Sequence, residues 1–447
     1  MQSPSQYLGK APLALAVILF LVVGGQLSEF FHDYRSLTQS SSARADIPND
    51  FPGYYVAAQI ARNPRDHRLY YLPGNPLQVL LGNAPKDTPW TTTARTDGFN
   101  STLPFNCPPF AAWLLQPLSF FSWPVALLLW RIALLGMLLL SVYLALLIAG
   151  GDNLLLHFVL VATAALSFFP SKETLFQGQL DPLILLTWVA GVYLQKVNRP
   201  VWSALLFAIG TVVKVSPIAV VGIFLLRRQW KWLASYAAWC AILMGISISR
   251  LGWENHVIWA MQVMPVLSRG APYFANKSIA GLLYEVYLRR VPLQLDFQIP
   301  GLLTRVASLL NLCIYGGTLI YFWWKNRVAN AIVYELVVMA LTALAMSPLV
   351  WRHYYVLALL PLIVLWLRPG NDRWEWLVLA VSTLAIGTVF VDYVIVAVRH
   401  PVLDILSGGV IPLATLALLF LLLRHYPAVR REVFVPTRVP VAAYKAV

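Results

Sequence analysis

The chain has 447 residues, 59% of them hydrophobic and 12% charged, with a mean hydropathy of +0.67, which leaves too little polar surface for a soluble domain and specifies a polytopic membrane protein. A net charge of +14 also suits a nucleic-acid binder, but the basic residues lie in short loops between apolar segments and build no basic domain, so nucleic acid is excluded as a partner.

Apolar segments fall at 11–31, 122–149, 153–170, 180–195, 201–213, 215–226, 229–250, 302–323, 329–347, 351–367, 374–397 and 404–423. Most approach the roughly 20 residues that a spanning helix needs, which predicts an all-α fold of about twelve transmembrane helices in one membrane domain over 1–447. No small-residue cleavage signal follows 11–31, so that helix is expected to be retained. The 201–226 run decides the sidedness of everything after it. Lys214 and Pro217, in TVVKVSP, divide it into two short helices that meet at a turn.

With that division, the loops carrying Lys196 and Arg199, Arg227, Arg228 and Lys231, Lys325 and Arg327, Arg368 and Arg373, and the basic tail 424–447, all share one face. Their excess of Lys and Arg makes that face cytoplasmic, in the inner (plasma) membrane with both termini inside; one helix over 201–226 would scatter these clusters across both sides. The extracytoplasmic face then receives the long segments 32–121 and 251–301, the 171–179 loop, the turn at Lys214, the 347–355 turn, and Arg399 to Pro401. Within the first, the apolar helix after Pro109 in PFNCPPFAAWLLQPLSFF is too short to span and is expected at the interface.

Asp50, in RADIPNDFPGYYVAAQIA, heads a short aromatic helix just after the first crossing. Two readings stand: a cap for the helix that begins near Phe51, or a base that takes a proton from a sugar hydroxyl while Tyr54 and Tyr55 stack on the ring. A cap can also be a base. Lys214 lies between two apolar half-helices, where an ammonium implies a partner, most naturally a lipid phosphate; the alternative is snorkelling to headgroups.

PSKETLFQGQLDP puts Lys172, Glu173, Gln177, Gln179 and Asp181 on the outer side. Gly178 would let backbone approach a ligand, and glutamine amides suit sugar hydroxyls. Gln179 is read as a contact, Asp181 as an N-cap ahead of Pro182. In SPLVWRHYYVLALLPL, Arg352 suits a phosphate leaving group and His353 can accept or relay a proton, although a lone histidine in a helix is more often simply packed. GAPYFANKSIAGLLYEVYLRR adds Asn276 and Lys277 as candidate binders and Ser278 as a cap; Lys277 equally reads as a solvated lysine. Asn276 and Asn100 head N-x-S/T triplets that are too frequent by chance to count.

Cys107, Cys240 and Cys313 lack metal-ligand spacing, and two of them fall in apolar runs where a small buried side chain is the usual reading. No acidic and histidine cluster compels a metal, so no cofactor is expected. Walker A, G-x-G-x-x-G, H-E-x-x-H and G-x-S-x-G patterns are absent. A soluble nucleotide donor would want a phosphate-cradling domain, which turns the expectation towards a donor that arrives through the bilayer.

The ordered motifs DFPGYYVAA, PFNCPPFAAWLLQPL, FQGQLDPLILL, KVSPIAVVGIFLLRRQWK, NKSIAGLL and SPLVWRHYY, spread over about 45–368, resemble glycosyltransferase family 87 of the polytopic GT-C superfamily. Functional analogues in that family are polyprenyl-phosphate-mannose-dependent mannosyltransferases. The resemblance implies metal-independent, inverting transfer outside the membrane from a polyprenyl-phosphate sugar to a glycolipid or glycan acceptor. It gives Asp50 the place of the base and His353 a role, with membrane lipids as surroundings. Where many relatives have a second histidine this chain has Tyr354, preceded by Arg352, which leaves open which of Asp50 and His353 takes the proton and admits a pentose donor. The competing class is a transporter or lipid flippase for an anionic lipid or sugar. Against it, the candidates gather on one face and no internal repeat is found.

Overall fold

The computed structural model describes residues 11–39, 50–63, 68–70, 88–99, 105–150, 153–271, 275–288, 299–325, 331–368, 370, 372–388 and 401–426. Residues 44–49, Asn100, Arg327, Arg399 and the tail beyond 426, to which expectations attach, lie outside the described residues. Among the described residues every regular element is helical, as expected of a lipid-embedded chain that must pair its own backbone groups.

Ala14–Thr38, Trp123–Ala149, Trp230–Arg269, Gly301–Trp324 and Gly408–His425 are long and apolar enough to cross a membrane. Leu154–Ser167 and Phe169–Gln177, bent by 65° at their junction, make a sixth if they are one broken span. The chain is therefore a multi-pass membrane protein, but the described residues do not reach the expected twelve crossings. Pro200–Val213, Ser216–Leu226, Ile332–Met346 and Arg352–Leu367 are apolar yet only 10–17 residues long, short of a full crossing.

The helices sort the charges to two ends. At one end Lys196 Nζ donates to the Leu147 and Ile148 carbonyls at 2.7 and 3.1 Å, and Arg368 Nε donates to Ala149 O at 2.8 Å. Both cations thereby cap the Trp123–Ala149 helix where its last carbonyls lack partners and its dipole is negative. Arg424 pairs with Asp372 and Glu375 beside them, and Arg227 pairs with Glu335 and Tyr426. Following Asp181–Lys196 and Ile332–Met346 away from this end leads to Asp181 and Ser347 at the other.

The break at Lys214 is present. Pro200–Val213 stops, Lys214 is extended at φ −155° and ψ 112°, and a 3-10 turn over Ser216–Val220 leads into Val221–Leu226. The chain thus returns to Arg227 at the basic end. Buried Trp188, Phe207, Trp232 and Phe224 lock these segments together, with successive ring centroids 5.7, 6.0 and 3.5 Å apart; such pairs add about 0.5–1.5 kcal/mol each beyond area burial.

The Pro109–Leu115 helix buries Phe110, Ala111, Ala112 and Leu115 and packs against the Phe51–Arg62 and Trp230–Ile258 helices. One smaller expectation changes. Cys107 is the buried cysteine, whereas Cys240 is half-buried and Cys313 exposed, because an apolar run that faces lipid needs no protein neighbour.

Gly178 ends the Phe169–Gln177 helix in the left-handed region, at φ 69° and ψ 31°, and a Cβ there would sit 2.9 Å from Phe51 Cβ. The space that glycine frees is taken by Phe51, not left open for a ligand. Gly178→Ala is expected to destabilise the protein by about 1–3 kcal/mol through combined strain and overpacking. A lowered unfolding midpoint of the detergent-purified variant would show it, and an unchanged midpoint would contradict it.

Candidate functional site

Asp50 occupies the N-cap position of Phe51–Arg62, yet its side chain makes no capping hydrogen bond. The carboxylate turns instead to Gln179, whose Nε2 donates to Oδ2, while the Tyr54 hydroxyl donates to Gln179 Oε1 at 2.5 Å. The local chain brings this about: Phe51 is fully buried beneath Gly178, and Trp130 Nε1 pins the Gly178 carbonyl at 2.8 Å. Burial pushes the Asp50 carboxyl up to about 6, opposed by the Gln179 hydrogen bond and assisted by the negative charge of Asp181.

The two tyrosines expected to act together are separated. Tyr54 sets its ring edge-on to Phe105 at 6.3 Å and stays in the cluster. Tyr55 is buried and donates to the Phe121 carbonyl at 2.6 Å, which ties the helix to its neighbour and takes the ring away from any shared platform.

Asp181 is the first residue of the Asp181–Lys196 helix, and no side-chain cap bond forms at this terminus. The capping expectation fails because a better partner is present: Lys214 Nζ reaches Asp181 Oδ1 at 2.6 Å. The ammonium also lies 3.2 Å from the Tyr354 ring centroid, so Lys214 is held inward and does not snorkel. Asp181 Oδ2 faces His353 Nε2 at 3.7 Å, and His353 packs against Tyr354 with centroids 4.9 Å apart.

These two halves form one cluster. The charges of Asp50 and Asp181 act on each other, and the Cys107 thiol, raised to about 11 chiefly by its burial, feels Lys214, Asp181 and Asp50. Asp50, Gln179, Tyr54, Asp181, Lys214 and His353 therefore form one buried or half-buried cluster of neighbouring side chains. Asp181 is the member that sequence reasoning misassigned. The available signal was charge pairing: an intramembrane lysine needs a counter-ion, and this carboxylate opens the adjacent antiparallel helix.

A second group borders the first. Arg352 donates to the Thr388 carbonyl, lays its guanidinium 4.7 Å from the Phe169 ring centroid and faces the charge of Glu173. Lys277 lies in the 275–278 loop with Glu285, Arg352 and Glu173 around it; burial lowers its ammonium and raises the Glu285 carboxyl. Ser278 caps Ile279–Leu288 by accepting from Gly281 N at 2.9 Å, as expected.

Asn276 is fully buried, and its amide is spent on backbone. Nδ2 donates to the Ala271 and Pro348 carbonyls, and Oδ1 accepts from Ser278 N and Val350 N. It stitches the 275–278 loop to the 347–350 turn and so holds Lys277 beside Arg352. Lys172 is exposed on the Phe169–Gln177 helix, outside the buried cluster. Among the described residues, no group of three or more His, Cys, Asp or Glu is placed to hold a metal ion.

The sequence model of glycosyltransferase family 87 matches residues 105–348, more than half of the chain. The chain is 27% identical over 334 residues to a polyprenol-phosphate-mannose-dependent alpha-(1-2)-phosphatidylinositol pentamannoside mannosyltransferase of Mycobacterium tuberculosis (strain CDC 1551 / Oshkosh), across 71% of this chain and 72% of that protein. It is 26% identical over 294 residues to a polyprenol-phosphate-mannose-dependent alpha-(1-2)-phosphatidylinositol mannoside mannosyltransferase of Mycobacterium tuberculosis (strain ATCC 25618 / H37Rv), across 61% of this chain and 64% of that protein.

Proposed function

We propose, from the premise that this chain belongs to glycosyltransferase family 87, that it moves mannose from a polyprenyl phosphate, with inversion, to a hydroxyl of a glycolipid or glycan on the extracytoplasmic side of the inner membrane. Family and fold make it a multi-pass membrane glycosyltransferase, which disfavours the transporter and flippase reading. Mannose, the lipid phosphate and a phosphatidylinositol mannoside acceptor rest on the names of the two mycobacterial relatives. Sidedness rests on the basic end that Lys196 and Arg368 mark, taken as cytoplasmic.

The observation that carries the mechanism is the buried Asp50 carboxylate, gripped on one oxygen by Gln179 and standing in the same cluster as the Asp181–Lys214 pair. The acceptor hydroxyl gives its proton to Asp50 as its oxygen bonds to the anomeric carbon. The bond from that carbon to the phosphate oxygen breaks, and its electron pair leaves with the phosphate. Lys214 and Arg352 face the charge that gathers there, with Lys277 behind them. Asp181 and the Thr388 carbonyl hold the two cations before a donor arrives, so little reorganisation is needed during reaction.

Gln179 and Tyr54 orient the base in this scheme and do not bind sugar directly. Asn276 positions Lys277, Tyr55 is structural, and Lys172 stays at the rim. Tyr54→Phe is expected to slow transfer by about 10-fold by loosening Gln179, equivalent to the ~1.4 kcal/mol of one lost hydrogen bond. Tyr55→Phe should cost about 1 kcal/mol of stability with turnover kept. Turnover and unfolding measured on both variants separate the roles, and equal effects would contradict them.

The function is tested with purified protein, a phosphatidylinositol mannoside acceptor and mannose presented on either polyprenyl phosphate or a nucleotide. Transfer from the lipid donor alone is expected. Transfer from the nucleotide, or none from the lipid, overturns the reading.

A further inference from the structure

We propose that Asp181 and His353 form a two-pronged subsite for one hydroxyl of the donor sugar. Asp181 Oδ2 and His353 Nε2 are both buried, and neither has a hydrogen-bond partner among the described residues. They face each other at 3.7 Å on side chains only 6% and 8% exposed. That gap exceeds the ~3.2 Å limit of a hydrogen bond, and each buried polar atom left unmatched costs about 1–3 kcal/mol. Both atoms thus keep their hydrogen-bonding capacity for a group that a bound substrate brings.

The geometry restricts what that group can be. One oxygen can lie within about 2.8 Å of both, since they are less than twice that distance apart. A phosphate oxygen only accepts and is repelled by the carboxylate. An ammonium only donates, and Lys214 already supplies one to Asp181 Oδ1. A hydroxyl fits both prongs: its O–H donates to Asp181 Oδ2, and its oxygen accepts from His353 Nε2–H. Lys214 then has a second task, holding the Asp181 carboxylate in place through its other oxygen.

The same contact assigns the hydroxyl to the donor. Asp181 touches the lysine that faces the leaving phosphate, and the group attached to that phosphate is the donor's own sugar. The acceptor approaches from Asp50. A sugar that lacks the hydroxyl, or carries it in the opposite configuration, leaves both prongs buried and unmatched. Sites of that type discriminate far more strongly than apolar pockets do, by up to about 10⁴-fold.

This subsite rests on the reading of the chain as a polyprenyl-phosphate-sugar enzyme, so the test uses full-length protein and two lipids, polyprenyl phosphate with and without mannose. Binding of each is titrated by native mass spectrometry for wild type, Asp181→Asn, His353→Phe and, should the phenylalanine variant fold poorly, His353→Gln. Wild type should prefer the mannosylated lipid by at least 10-fold, and the ratio should fall towards 1 in the variants. A structural defect lowers both affinities together and leaves the ratio alone. Mono-deoxy mannosyl lipids should then show one position whose removal costs wild type the same preference and costs the variants nothing further. A preserved ratio in the variants, or a loss confined to acceptor binding, overturns the subsite. Wild type that binds neither lipid overturns the proposed function and the subsite with it.

Discussion

Asp50→Asn is expected to lower sugar transfer by roughly 10²–10⁴-fold, the usual contribution of a positioned general base, while the affinity for the polyprenyl-phosphate donor stays within a few-fold of wild type. The substitution keeps shape and an oxygen for Gln179 Nε2 but removes the lone pair that takes the proton. The pH profile gives an independent check. A base works only when ionised, and burial raises this carboxyl to about 6. Transfer measured as kcat/KM should therefore fall as pH drops through about 6, not through the ordinary aspartate range near 4. Gln179→Leu removes the hydrogen bond that favours the ionised form, so its acidic limb should move to higher pH. Full transfer by Asp50→Asn would remove Asp50 from the base position, and a limb that stays put in Gln179→Leu would show that another group titrates there.

What could be read in advance divides by the kind of physics involved. Hydropathy and charge are written residue by residue, so the membrane class, the break at Lys214 and the gathering of Lys196 and Arg368 at one end follow from the chain alone. Crossing number was less legible, because a run such as 351–367 has the composition of a span while only Leu359–Leu367 of it is α-helical, after a 3-10 opening at Arg352–Ala358. Side-chain direction was not legible at all. Tyr54 and Tyr55 are neighbours in sequence, yet about 100° of helical rotation sends one to Gln179 and the other to Phe121. Asp181 looked like a cap because local sequence favours that role, whereas Lys214, thirty-three residues on, outbids the local amides. Asn276 looked like a ligand because nothing in its own segment shows that the 347–350 turn will occupy its amide.

Lys214→Met should lower kcat by about 10²–10³-fold, the scale seen when one oxyanion-stabilising group is removed, but change donor affinity by no more than about 10-fold. The asymmetry follows from Asp181. In the resting site the ammonium is already matched by a carboxylate 2.6 Å away, so an arriving phosphate meets a nearly neutral pair. As the glycosidic bond breaks, negative charge grows on the phosphate oxygen, and Lys214 has N–H donors to spare beyond the one held by Asp181. An interaction that strengthens only then acts on kcat rather than on binding. The substitution also leaves Asp181 as an uncompensated buried charge, which costs about 3–5 kcal/mol of stability. Lys214→Met combined with Asp181→Leu removes both charges, so most of the stability should return. Catalysis should not return, because neither the phosphate cation nor the hydroxyl prong is restored. A double variant that recovered turnover along with its unfolding midpoint would reduce Lys214 to a counter-ion and shift the phosphate to Arg352 alone.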